Sequence, residues 1–263
     1  MNLAIRGNSA IIIASSSGLG RAAAESLVKE GVNVVINGRN NERLQQTAEE
    51  LKKINTAQVT TVQGDITKKE DLKKIVQTAV DKYGRLDHLV TSAGGPPSVS
   101  FLDSKEEDWY YSFDLLVMSV VRLVKASFPY LKKDGGGTIV NISSISVKEA
   151  INDLALSNSV RMSVIGLMKT LSKELTPEIR ANAVLPGFHE TKRVQALFEK
   201  QIAAGKFQSY AEALDSKRNN IPLQKIGSPA ELGDLVAFLS SPKSSYINGS
   251  SIVIDGGSSS SNL

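Results

Sequence analysis

The chain has 263 residues, of which 41% are hydrophobic and 22% charged, which excludes a disordered chain and is typical of a globular domain. It contains no cysteine and only two histidines, which excludes disulfides and thiolate metal sites and leaves too few ligands for a histidine-rich metal centre. The net charge is +4 at pH 7, but the lysines are scattered, which favours solvated helix faces over nucleic-acid binding.

No apolar run reaches membrane-spanning length, and the first residues lack the charged and apolar regions of an export signal. A chain without cysteine is also compatible with a reducing compartment. We therefore expect a cytoplasmic protein that binds no metal, membrane or nucleic acid.

Strand-like and helix-like segments alternate along the chain. Short apolar runs predict strands at 9–15, 32–37, 58–63, 86–91, 138–143, 180–185 and 251–254. Periodicity and capping residues predict helices at 18–30, 40–54, 68–83, 104–132, 154–175 and 229–239, further helical stretches within 192–218, and a frayed serine-rich tail at 258–263. Strands separated by helices indicate βαβ units with helices on both faces of the sheet. The prediction is a doubly wound parallel α/β sheet in three layers, a Rossmann fold, forming a single domain over 1–263.

The first predicted strand runs directly into a glycine-containing turn that opens the first predicted helix, Ser15-Ser16-Ser17-Gly18-Leu19-Gly20. Unpaired backbone N–H groups and the positive end of the helix dipole favour an anion there. The glycines let the backbone approach a pyrophosphate, and small hydroxyl side chains can reach its oxygens. The alternative is a plain strand-to-helix connection, but the position after the first strand favours a dinucleotide site.

Residues 13–20 resemble the Thr-Gly-x-x-x-Gly-x-Gly signature of the short-chain dehydrogenases/reductases, with Ala14 at the first glycine. The resemblance covers nearly the whole chain, and the overall pattern is similar to 3-oxoacyl carrier-protein reductases. It implies further cofactor contacts just beyond the ends of later strands, where ligands bind in open parallel sheets. These residues are Asp65 and Ile66 at the adenine, Ser92, Ala93 and Gly94 after the fourth strand, and Pro186, Gly187 and Thr191 at the nicotinamide end.

The end of the second predicted strand distinguishes the two nicotinamide cofactors. An NAD ribose is usually held by a carboxylate there, whereas this chain has Asn37-Gly38-Arg39. An arginine can neutralise a 2′-phosphate, so we expect NADP(H) in preference to NAD(H). The alternative is that Arg39 is a solvated loop residue.

The family resemblance implies a catalytic serine after the fifth strand, a tyrosine thirteen residues later and a lysine four residues after that. Ser144 matches the serine, but Ser157 and Arg161 occupy the tyrosine and lysine positions, and Leu116 occupies that of a proton-path asparagine. A phenol titrates near 10 and can be tuned towards neutrality, whereas a serine hydroxyl is a poor general acid. Arg161 keeps the positive charge and can still bind ribose hydroxyls.

Three hypotheses follow. The chain is an oxidoreductase with an atypical proton donor, a cofactor-binding sensor or assembly partner without turnover, or a catalyst of another reaction on the same fold. For the first, His189 is a candidate donor because histidine titrates near neutrality; the alternative is an exposed loop histidine. We expect the segment 192–218 to frame a small-molecule substrate, which the sequence does not identify. The resemblance also implies a homotetramer or homodimer, and the apolar stretch 115–124 suits a helix interface or ordinary core packing.

Overall fold

The computed structural model describes residues 2–133 and 135–262. Within them a seven-stranded parallel sheet has the order β3-β2-β1-β4-β5-β6-β7. The strands are β1 (Ser9–Ile12), β2 (Asn33–Gly38), β3 (Val59–Gln63), β4 (His88–Ser92), β5 (Gly137–Ile142), β6 (Ile179–Pro186) and β7 (Ser251–Ile254). The strand order reverses at β1, which has β2 on one side and β4 on the other, and such a switch point opens a crevice at the carboxyl ends of the strands.

Helices cover both faces of the sheet. They are α1 (Gly18–Lys29), α2 (Asn41–Lys52), α3 (Lys69–Tyr83), α4 (Glu106–Phe113), α5 (Ser119–Leu131), α6 (Ala155–Glu174), α7 (Lys192–Ala203), α8 (Tyr210–Arg218) and α9 (Pro229–Ser240). One core cluster packs α3, α5 and α6 on the sheet, and the other packs α1, α2 and α9 on the opposite face. Alternate residues of β1 serve the two clusters, since Ile11 joins the first and Ile12 the second. The predicted three-layer α/β fold is confirmed.

Several predicted boundaries are wrong, each for a local reason. β1 ends at Ile12 because the chain turns at Ala14, which has a φ of 50°. The predicted helix 104–132 starts at Glu106 and is interrupted by a π-helical segment, Asp114–Met118. The helical stretches predicted within 192–218 are confirmed as α7 and α8, which are separated where Gly205 adopts a φ of 73°.

The serine-rich tail is held rather than frayed. The carboxylate of Asp255 accepts hydrogen bonds from the backbone N–H groups of Gly257 (2.9 Å) and Ser259 (2.8 Å). The N–H of Ser260 donates to the Glu149 carboxylate, in the loop after β5. None of the helices in the described ranges combines the length and the hydropathy that a bilayer crossing requires.

Candidate active site

The turn between β1 and α1 is shaped by residues in the left-handed region, Ala14 at a φ of 50° and Gly18 at 60°. A Cβ on Gly20 would lie 2.6 Å from the carbonyl oxygen of Ala14, so glycine is required where helix and turn meet. Ser17 is the N-cap of α1, and within the described chain its hydroxyl makes no capping bond. The helix therefore opens with N–H groups and a hydroxyl available to an anion.

The first of the three serines is turned inward. The Ser15 hydroxyl donates to the carbonyl of Ile12 (2.6 Å), and its N–H donates to the carbonyl of Asn37 (2.8 Å). The Asn37 amide donates to the carbonyls of Val62 (3.0 Å) and Gly64 (3.2 Å), which ties together the ends of three strands. The structure thus does not bring the predicted Ser15 hydroxyl to the ligand edge, and Ser16 and Ser17 remain for that role.

The adenosine end of the predicted cofactor path lies at β2 and β3. The Asp65 carboxylate accepts hydrogen bonds from the N–H (3.0 Å) and hydroxyl (2.9 Å) of Thr67. Burial raises the pKa of Asp65, but the Thr67 bonds and the nearby Arg39 and Lys68 charges outweigh it and lower that pKa. Arg39 is exposed and close enough to act on Asp65, while the Ile66 side chain is buried in the core. A carboxylate and a guanidinium therefore flank the same strand ends.

The nicotinamide end of the path follows β4 and β6. None of the described residues lies within 4 Å of where a Cβ on Gly94 would be, so the backbone after Ser92 and Ala93 is open. A Cβ on Gly187 would approach that of Asp255 to 2.5 Å, so this loop packs against the end of β7. The Thr191 methyl lies 3.9 Å from the Cβ position of Gly18, which brings the loop after Pro186 to the head of α1. This open cradle of small residues fits a dinucleotide.

A chain of hydroxyl groups and a guanidinium lies between β5 and α6. The Ser144 hydroxyl accepts from the N–H of Ser146 (3.1 Å) and caps the 3₁₀ turn Ile145–Val147. The Ser146 hydroxyl is 3.1 Å from that of Ser157, to which the Arg161 Nε donates at 3.2 Å. Ser146, Ser157 and Arg161 are all buried. The structure therefore joins three of the predicted catalytic positions through Ser146, which the sequence analysis did not single out.

Comparison with known proteins agrees with this geometry. A family profile described as enoyl-(acyl carrier protein) reductase matches residues 13–259. The chain is 32% identical to the 3-oxoacyl-[acyl-carrier-protein] reductase FabG of Thermotoga maritima, over 96% of this chain and 98% of that protein. It superposes with a TM-score of 0.92 on the L-sorbose reductase of Gluconobacter frateurii complexed with NADPH and L-sorbose, at 30% identity over 98% of both chains.

The chain belongs to the short-chain dehydrogenase/reductase family. Another structural relative is an apo short-chain oxidoreductase from Pseudomonas aeruginosa PAO1 described as containing an atypical catalytic center. It has a TM-score of 0.89 at 26% identity and covers 96% of this chain and 97% of that one. The fold of this family therefore also occurs with an unusual set of catalytic groups.

Leu116, predicted at the asparagine position, is buried inside the π-helical segment, and π-bulges are frequent at functional sites. An apolar side chain there cannot carry a proton. Two buried polar atoms at the end of β5, the Asn141 Oδ1 and the Ser143 hydroxyl, have no hydrogen-bond partner among the described residues.

His189 is buried, so its interpretation as an exposed loop histidine is wrong. Its Nδ1 lies 3.2 Å from the carbonyl oxygen of Gly187, and its ring packs on Gly227. Burial lowers the pKa of His189, which favours the neutral imidazole near pH 7. The ring is thus packed into the fold with contacts on the side of α9.

Phenol groups could replace the missing tyrosine only if one reached Ser144 or Ser157. The Tyr83 hydroxyl donates to the carbonyl of Val34 (2.9 Å), and that of Tyr210 donates to Glu190 (3.2 Å). No tyrosine hydroxyl in the described parts of the chain hydrogen-bonds to either serine. The hydroxyl at the predicted tyrosine position is therefore the alcohol of Ser157.

Proposed function

We propose that this chain is an NADP(H)-dependent oxidoreductase that acts on a carbonyl/alcohol pair with Ser157 in the place of the usual tyrosine. The observation that carries the proposal is the coexistence, at one edge of the sheet, of an open helix N-terminus and a buried chain of hydrogen bonds from Ser146 through Ser157 to Arg161. NADPH-complexed structural relatives support the choice of cofactor.

The chain's own residues would divide the work of binding along the cofactor. The Ser17 hydroxyl and the backbone amides of Gly18, Leu19 and Gly20 would bind the pyrophosphate, and the Ser16 hydroxyl, which faces Gly38, would lie on the side of the 2′-phosphate. Arg39 would bind the 2′-phosphate, with Asp65 and Ile66 at the adenine. The nicotinamide half would be held by residues that follow β4 and β6 and by one residue of α6: Ser92, Ala93, Gly94, Pro186, Gly187, Thr191 and Arg161.

The proton step falls to the serine cluster. Bound NADP(H) supplies or accepts the hydride, and an alcohol hydroxyl must supply or accept the proton. Ser144 would orient the carbonyl oxygen. Because the Ser157 oxygen accepts from Arg161, its hydrogen can point to Ser146 or to a substrate oxygen. Ser157 would pass this proton to the nascent alkoxide and regain one from solvent through Ser146. A serine is a much weaker acid than a phenol, so we expect slow turnover.

A two-part experiment tests the function. Calorimetric titration with NADPH should show saturable binding. If no saturable binding occurs at NADPH concentrations below the millimolar range, both the oxidoreductase and the sensor hypotheses are refuted. With ketone or 3-oxoacyl substrates, the double variant Ser157→Tyr/Arg161→Lys should raise kcat by roughly 10²-fold, the usual contribution of a general acid. Ser159→Tyr, at an exposed position of the same helix, serves as the control for an added phenol. A wild-type rate equal to that of the double variant would contradict the assigned donor.

The second candidate is a cofactor-binding protein without turnover, acting as a sensor or an assembly partner. It is favoured by the Ser157 hydroxyl, which is held between Arg161 and Ser146 and, among the described residues, is hydrogen-bonded to no carboxylate or imidazole that could take its proton. This candidate is supported if the wild type binds NADPH but reduces no carbonyl substrate, and if the Ser157→Tyr/Arg161→Lys variant does reduce one. His189→Ala decides the remaining donor, since loss of turnover without loss of NADPH binding would implicate the imidazole.

The segment after β6 is the proposed wall of the substrate site. We propose that α7 and α8, within 192–218, frame the substrate, because Phe188, Phe198 and Tyr210 stack between them and the loop after β6. We also propose a homodimer or homotetramer. The cytoplasmic location stays a prediction.

A further inference from the structure

A cavity of about 360 Å³ lies on the outer side of the phosphate turn. It runs between α1 and α2 and continues to the first residues of α7 and α9. Its α2 end is lined by Ser16, Ser17, Arg21, Arg43, Gln46 and Thr47. It therefore borders the proposed cofactor path beside the 2′-phosphate position without containing Arg39.

The sequence places Arg43 on the cavity side of α2. The Asn40 side chain accepts from the N–H of Arg43 (2.8 Å), so the residue that follows Arg39 is the N-cap of α2. Residues spaced by three or four then share a face, and Thr47 on that face donates its hydroxyl to the carbonyl of Ser16 (3.1 Å). This bond fixes the Arg43 face of α2 against the phosphate turn.

At this end of the cavity, the positive charge of Arg21 is paired with a carboxylate, whereas among the described residues that of Arg43 is not. Arg21 pairs with Glu50 at 2.5 Å, and Glu25 pairs with Lys29 at 2.9 Å. Within residues 2–133 and 135–262, Arg43 forms no ion pair. Its guanidinium therefore has no internal carboxylate to compete with a ligand.

Ser16 connects the two arginines. Its hydroxyl lies 2.7 Å from where a Cβ on Gly38 would be, next to Arg39, while its carbonyl is bound by Thr47 on the Arg43 face. A phosphate beside Ser16 would therefore lie between the end of β2, which Arg39 follows, and the face of α2 that carries Arg43. Arginine binds phosphate with paired, charge-assisted hydrogen bonds, and two such groups match a dianion.

We propose that Arg43 is a second guanidinium for the 2′-phosphate of NADP(H), acting with Arg39 on either side of Ser16. This inference rests on the proposed function and adds a specificity-determining residue to it. Arg43 discriminates between the two cofactors because its only ligand is the group that NADPH has and NADH lacks.

Calorimetry with NADPH and NADH, on wild type and Arg43→Ala, tests this directly. The variant should bind NADPH about ten- to a hundredfold more weakly, the range for a charge-assisted hydrogen bond, and NADH within twofold of wild type. Adenosine 2′,5′-bisphosphate and 5′-AMP should show the same contrast, which removes the nicotinamide end and turnover from the measurement. Lys74→Ala, which removes an exposed cation of α3 far from the proposed site, controls for net charge. A thermal melt confirms that each variant is folded.

Three outcomes overturn the inference. Unchanged NADPH affinity in Arg43→Ala, or equal weakening of NADPH and NADH, would refute the role of Arg43 and leave the proposed function standing. A folded wild type that binds neither cofactor would refute both. Arg43→Lys should retain part of the preference for NADPH, since it keeps the charge and loses the paired geometry.

Discussion

Ala14 occupies a backbone conformation that glycine adopts most readily. Its φ of 50° lies in the left-handed region, which costs a residue with a Cβ about 1–2 kcal/mol. The turn is nevertheless retained, because Ser15 and Asn37 fix the strand ends on either side of it. The alanine therefore stores strain next to the predicted pyrophosphate site.

Ala14→Gly should stabilise the fold. Relief of the left-handed strain exceeds the greater freedom of glycine in the unfolded chain, so we expect the free energy of unfolding to rise by about 0.5–1 kcal/mol. Urea unfolding measures this. Ala196→Gly, at an exposed position inside α7, should lower it by about 1 kcal/mol at most and serves as the control. Destabilisation by Ala14→Gly would contradict the strain argument.

The sequence predicts those site residues whose role follows from a position relative to a strand end. Thr191 is one, and the structure brings it to the head of α1. Asn37 and Ser146 were missed because their partners come from other strands and helices, which local spacing does not reveal. The available signals were a polar residue closing an apolar strand and a hydroxyl two residues beyond Ser144. The catalytic assignments of Ser144, Ser157 and Arg161 stay predictions.

At the scale of elements, apolar periodicity predicts all seven strands because buried parallel strands are continuous apolar runs. Their ends depend on turns, and β1 was predicted three residues too long for that reason. The break in the helix 104–132 was missed because a π-helical segment adds one residue to a turn without changing the apolar character of the sequence.

His88 links elements at the amino ends of the strands, on the side of the sheet away from the candidate site. It lies on β4, with its Nε2 2.9 Å from the Asn8 amide before β1 and its Nδ1 2.9 Å from the Thr138 hydroxyl on β5. Burial, partly offset by the charge of Asp87, lowers its pKa to about 4. The folded protein thus holds a neutral imidazole at a pH where the unfolded chain protonates.

Folding stability should therefore fall as the pH falls from about 6.5 to about 4. The unfolded state binds one more proton than the folded state in this window, which removes about 3 kcal/mol by pH 4. Above pH 6.5 this contribution is complete and constant. Urea unfolding across the window measures the slope, and His88→Gln should lose the part of it due to one proton. Equal slopes in wild type and variant would show that His88 titrates normally in the fold.

The surface of the whole molecule bears on association. In the stretch 115–124, the alternative of core packing holds for Leu115, Leu116, Val120, Leu123 and Val124, which are buried in this chain's own core, while Met118 and Val121 are partly exposed. Exposed apolar side chains occur nearby instead. Phe113, at the end of α4, is 44% exposed, and Met162, on the neighbouring α6, is 50% exposed. This face is the better candidate for the proposed homo-oligomer.

Gly166→Glu separates association from folding. Gly166 follows Met162 by one helical turn. No atom of the described chain lies within 4 Å of where its Cβ would be, so a side chain fits within one protomer. A glutamate there should not lower the melting temperature, since glycine is a poor helix former. It would, however, hold off a second helix packed on Met162, and the sedimentation coefficient should fall to that of a smaller species. Gln77→Glu, which adds the same charge at an exposed position of α3, should leave the sedimentation coefficient unchanged. An unaltered assembly in Gly166→Glu would move the interface to another face.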